Sequence, residues 1–81
     1  MSVTVTVLLF ADLRVAAERS RLELDLPAGA TVRTAADELE RVLGNGRLRG
    51  VMCAVNEGYA GPGTTLADGD VLAFLPPVSG G

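Results

Sequence analysis

The sequence predicts an α+β domain, a mixed sheet with one main helix packed on one face. Three observations carry that prediction. Two apolar runs rich in strand-forming residues stand near opposite ends of the chain, Val3 to Phe10 and Val71 to Leu75. A strictly alternating segment follows the first run. One long stretch between the two runs repeats its apolar residues at helical spacing.

Along Val3 to Phe10, Val3, Val5, Val7 and Leu9 share one face, and Thr4, Thr6, Leu8 and Phe10 share the other. The threonines mark the second face as partly wet. Ala11 to Arg19 forms a short helical turn or a loop. Arg21 to Leu26 turns Leu22, Leu24 and Leu26 inward and Glu23 and Asp25 outward. Its closeness to the first run predicts an antiparallel pair. Pro27-Ala28-Gly29 stops it. From Thr31 to Leu43, the residues Val32, Ala35, Ala36, Leu39, Val42 and Leu43 make one apolar stripe. Thr31 is the expected N-cap, and Gly44-Asn45-Gly46 ends the helix. Val51 to Asn56 reads as a third strand. Glu57 to Thr65 is too rich in glycine and proline for regular structure. An Asp68-Gly69 turn then leads into the last strand, which Pro76-Pro77 cuts off.

The predicted order is β-β-α-β-β. The continuous apolar character of the first and last strands predicts that they lie side by side, parallel and central. That is the β-grasp, or ubiquitin-like, arrangement. Residues 1–75 form this domain, and residues 76–81 form an extended C-terminal tail.

Composition excludes several classes. The 81 residues make one small domain. The net charge is −3, so no basic footprint for nucleic acid is present and no polybasic membrane anchor. No apolar run reaches the ~18 residues of a membrane span. One cysteine, Cys53, permits no internal disulfide, which fits a reducing cytoplasm. The chain has no histidine, and its seven cations are all arginine. It therefore lacks the usual neutral-pH general base and an ordinary zinc ligand set. Cys53 sits in an apolar strand and reads as packing. Asp68 and Asp70 flank a glycine and read as turn chemistry, with no metal expected. Asp37, Glu38 and Glu40 read as the solvated face of the helix.

The chain closes on Phe74-Leu75-Pro76-Pro77-Val78-Ser79-Gly80-Gly81. Two prolines stiffen the spacer. The two glycines carry no Cβ, so such a tip fits a tunnel too narrow for side chains. The group delivered is the α-carboxylate of Gly81. Gly80 and Gly81 are the candidate reactive end.

The opening VTVLLFADLR, the middle AVNEGYA and the ending LADGDVLAFLPPVSGG resemble the molybdopterin synthase small-subunit family of ubiquitin-like sulfur carriers. The resemblance spans nearly the whole chain. It implies a subunit that is not itself catalytic but donates sulfur within a sulfurtransferase complex. A carboxylate must be activated before a sulfur nucleophile can displace its oxygen. This chain has no phosphate-binding fingerprint, so ATP and magnesium belong to a partner. The resemblance names that partner as an adenylating enzyme of the ubiquitin-activating type, followed by a persulfide sulfur donor. The thiocarboxylate at Gly81 would then enter the large synthase subunit and attack cyclic pyranopterin monophosphate, on the way to molybdenum cofactor. The resemblance also implies a heterotetramer, with two small subunits at opposite ends of a large-subunit dimer. Carriers for thiamin thiazole or cysteine synthesis, and protein modifiers conjugated through Gly81, share this chemistry and remain as alternatives.

Docking needs a surface. Strand parity leaves Leu8, Phe10, Val71, Ala73 and Leu75 on the sheet face away from the helix, with Tyr59 joining from its loop. Phe10, Tyr59 and Leu75 are the expected anchors, and Pro76, Pro77 and Val78 are expected to follow the tail into the partner.

Overall fold

The computed structural model describes residues 1–44 and 51–75. Among them the order is β1 (Ser2–Leu9), α1 (Ala11–Ala17), β2 (Arg21–Pro27), α2 (Val32–Leu43), β3 (Met52–Val55), β4 (Gly58–Ala60) and β5 (Val71–Leu75). The five strands form one mixed sheet in the order β2-β1-β5-β3-β4. β1 and β5 are parallel neighbours, with Val7 opposite Leu72 and Leu9 opposite Phe74. β1 pairs antiparallel with β2, and β3 with both β5 and β4. The α+β class, the β-grasp topology and the central parallel pair are as the sequence predicts.

The core lies between the sheet and α2. Val5, Val7, Leu9, Leu24, Leu26, Cys53, Leu72 and Phe74 enter it from the strands, and Val32, Ala35 and Leu39 from the helix. Thr31 caps α2 through a reciprocal box. Its hydroxyl accepts from the Thr34 N–H at 3.4 Å, and the Thr34 hydroxyl accepts from the Thr31 N–H at 3.1 Å. Such a cap contributes ~0.5–2 kcal/mol. Gly44 ends the helix at φ 105°. Asn45 and Gly46 lie outside the described residues.

Of the two expectations for the segment after β1, the helical one holds: Ala11–Ala17 is a short helix, and its Leu13 is a fully buried core residue. Two expectations need correction. Val42 is 64% exposed, not part of the buried stripe. At ~100° per residue it falls about 20° outside the arc that Val32, Ala35 and Leu39 define, on the Ala35 side. Finally, the glycine-rich segment holds a strand. Asn56 and Glu57 both take positive φ, 50° and 73°, and fold the chain back as a tight hairpin. Gly58–Ala60 then hydrogen-bonds along β3 as an edge strand, a role that needs backbone pairing more than a side-chain pattern.

The Asp68-Gly69-Asp70 turn sets the register of β5. Gly69, at φ 89°, donates its N–H to the Thr4 carbonyl at 2.8 Å. Asp68 accepts from the Thr4 N–H at 2.7 Å. Asp70 accepts from the Asn56 amide at 2.9 Å and from the Ala67 N–H at 2.8 Å, and Asn56 in turn accepts from the Val71 N–H at 3.0 Å. Both carboxylates are therefore engaged, Asp70 within the turn and Asp68 in tying the turn to β1, and among the described residues no acid or cysteine cluster could hold a metal.

The Ala67 N–H and the Asn56 amide hold the Asp70 carboxyl below its ordinary value. A depressed folded-state pKa gives stability above the unfolded pKa that is lost as pH falls through the folded one. Replacing Asp70 with Ala should lower the urea midpoint at pH 7, and the gap to the parent should close below the usual carboxylate range. A pH-independent gap would mean that the charge contributes nothing.

Candidate functional site

The sheet face opposite α2 is built by ladder register. Leu8 stands opposite Ala73, Ala73 opposite Ala54, and Ala54 opposite Tyr59, so one row crosses four strands on a single face. Met52 stands opposite Leu75 in the next row toward the end of β5. Phe10 continues β1 in extended conformation, φ −129° and ψ 155°, so it projects away from the buried Leu9 and onto this same face. Phe10 is 44% exposed, Met52 54% and Tyr59 75%. Ala54 is buried yet belongs to no part of the core cluster, as expected for a small residue under the larger side chains of this face.

The face is divided. Toward Leu75 it is apolar, formed by Phe10, Leu8, Met52, Ala73 and Tyr59. Toward the start of β1 it turns polar: Thr6 stands opposite Glu23 and Thr4 opposite Asp25, and the Thr4 hydroxyl donates to the Asp25 carboxylate at 2.7 Å. Arg21, opposite Leu8, borders the apolar half. The apolar half is therefore the half from which the chain leaves β5 toward residues 76–81.

The expected anchors Phe10, Tyr59 and Leu75 share this face, Phe10 beside β5 and Tyr59 two strands away on β4. Pro76, Pro77, Val78, Gly80 and Gly81 lie outside the described residues. Sequence reasoning missed Met52. The signal was present, because period-two alternation turns Met52 outward once Cys53 is taken as core.

Cys53 faces the other side. It lines a groove of about 380 Å³ between α2 and β3, with Val32, Ala36 and Phe74 as its apolar floor. Burial pushes its thiol up to about 11, and its Sγ donates to the Ala54 carbonyl at 3.7 Å. A protonated, buried thiol is a poor nucleophile at neutral pH, so Cys53 is packing, as the sequence suggests. No helix among the described residues is long and apolar enough to cross a membrane.

Comparison with known proteins agrees with this geometry. The chain is 38% identical to a molybdopterin synthase sulfur carrier subunit of Arabidopsis thaliana, covering 99% of this chain and 85% of that protein. It is 37% identical to one of Mycobacterium tuberculosis, covering 98% and 99%. Among solved structures it superposes on SAMP1 from Haloferax volcanii with TM-score 0.86 at 32% identity, covering 96% of this chain and 99% of that one. A protein from Pyrococcus furiosus described as a putative molybdopterin converting factor, subunit 1, superposes with TM-score 0.82 at 36% identity, covering 95% and 100%. The ThiS family model matches residues 7–81, from the middle of β1 through the Gly-Gly end. With a ubiquitin-like sheet, an apolar face at the root of its last strand and that match, the chain belongs to the ThiS family.

Proposed function

We propose that this protein is the sulfur carrier subunit of molybdopterin synthase. The observation that carries the reading is the full-length similarity to two proteins of that name, and the apolar half-face beside Leu75 supports it. In this reading an adenylating partner uses ATP and magnesium to convert the Gly81 carboxylate to an acyl-adenylate. A persulfide donor displaces AMP, and a thiol cleaves the resulting S–S bond to leave a thiocarboxylate. That group is far more acidic than a thiol, so it is anionic and nucleophilic at pH 7. The large synthase subunit receives the tail and supplies the acid–base residues, and the sulfur passes to cyclic pyranopterin monophosphate. Hydrolysis returns the Gly81 carboxylate. The chain itself holds no cofactor in this scheme.

Intact-mass measurement of the protein from its native host tests the scheme. Exchange of one terminal oxygen for sulfur, and dithiolene product on mixing with the large subunit, are expected. Isopeptides from Gly81 to lysines of many proteins would instead assign it as a modifier, and product only with a thiazole- or cysteine-forming acceptor would move it to another pathway.

The docking face has its own test. Phe10→Ala removes a half-exposed ring outside the core, so the monomer should stay folded while affinity for the large subunit falls by about tenfold or more. Isothermal titration with unchanged circular dichroism checks this. Unaltered affinity would remove Phe10 and its row from the interface.

A further inference from the structure

The chain carries one cysteine and two methionines, and the fold treats them differently. Cys53 is 7% exposed and turned into the core. Met1 is fully exposed and lies at the far end of β1, where its carbonyl accepts from the Ala28 N–H at 3.2 Å. Met52 is half exposed and stands opposite Leu75, at the root of the tail and in the apolar half of the docking face. Adjacent residues on β3 thus hold one sulfur shielded and one presented.

We infer that Met52 is an oxidation site that controls docking. Hydroperoxides convert its thioether to the sulfoxide in the undocked subunit, and the oxidised face no longer accepts its partner. The inference rests on the docking reading above. The step balances without a further reactant. The thioether lone pair attacks one peroxide oxygen, an S–O bond forms and the O–O bond breaks. Sulfur loses two electrons, and hydrogen peroxide leaves as water. A dithiol-using sulfoxide reductase reverses it, releasing the oxygen as water and forming a disulfide.

The physical consequence follows from what the group becomes. A thioether is polarizable and apolar and suits an interface formed by Phe10, Leu8 and Leu75. A sulfoxide carries a strong hydrogen-bond acceptor that must either stay hydrated or be buried without a donor. A carrier that moves between an activating enzyme and an acceptor bares this face in transit, when oxidant can reach it. Docking then shields it.

The test uses the full-length protein and the large synthase subunit. Peroxide is added to the free carrier, peptide mapping locates the oxygen on Met1 or Met52, and affinity is measured before and after. Mapped Met52 sulfoxide should weaken binding by about tenfold or more, and methionine sulfoxide reductase should restore it. Met52→Leu, compared with itself across the same treatment, should show no change, because Met1 oxidation lies off the face. Unchanged affinity with Met52 confirmed as sulfoxide would overturn the inference. Phe10→Ala in unoxidised protein separates the two readings. If it weakens binding while oxidation does not, only the oxidation site fails; if it has no effect, the docking face itself is wrong.

Discussion

A chain lengthened by a single alanine beyond Gly81 is expected to lose sulfur transfer while keeping its fold and its affinity for the large subunit. The added residue turns the Gly81 carboxylate into a peptide carbonyl and moves the free carboxylate out by ~3.3–3.6 Å. It also places a Cβ on the terminal residue, where the glycine pair had none. Either change is severe for a group that must meet a reacting atom inside another protein. A displacement near 1 Å can cost about a hundredfold in rate, so a shift several times larger should bring transfer to background. The measurement is single-turnover product formation with the large subunit, with intact mass proving that the extension stays attached. In the docking reading proposed above, Phe10, Met52 and Leu75 carry most of the affinity, and the extension leaves them unchanged, so binding serves as the internal control. Normal turnover by the uncut, extended chain would end the proposal that the terminal carboxylate carries the sulfur.

Leu72→Ala is expected to give a large loss of stability. Leu72 is fully buried, the second residue of β5, between Val7 of β1 and Val55 of β3. Leu-to-Ala changes at such sites cost ~2–5 kcal/mol, because the cavity left behind adds to the lost transfer energy. A domain of this size has only roughly 4–12 kcal/mol in total. The urea midpoint should therefore drop by a large fraction, with the slope of the transition little changed. Leu72→Met, which keeps the volume, should cost less than about 1.5 kcal/mol. An alanine variant within about 0.5 kcal/mol of the parent would mean that β5 is not the keystone of this core.

The long-range architecture was legible because two signals agreed. Alternation in β1 and β2 assigned faces correctly, and continuous apolar runs in β1 and β5 marked the central strands. The exposed apolar half of the sheet face followed from the same parity. What escaped had little side-chain signature. β4 is held by backbone pairing to β3 and begins with a glycine, so composition alone read it as loop. Its turn uses Glu57 where glycine is the usual signal. Leu13 was hidden because the short Ala11–Ala17 segment offers too few turns for a stripe to be recognised. Val42 showed the reverse error, an apolar residue whose helical angle leaves it on the rim. Gly80 and Gly81 were singled out by chemistry alone, from the carboxylate they present and the side chains they lack.

The pairing of Val7 with Leu72 joins residues from opposite ends of the polypeptide. Such non-local pairing makes folding slow relative to helical domains, because loop closure comes before the contacts that reward it. During synthesis β1 and β2 can meet early, but the middle of the sheet stays open until β5 emerges from the ribosome. A nascent or prematurely stopped chain without that strand has neither a finished core nor a usable face. Translation therefore licenses the carrier only when the strand that bears its working end has been made.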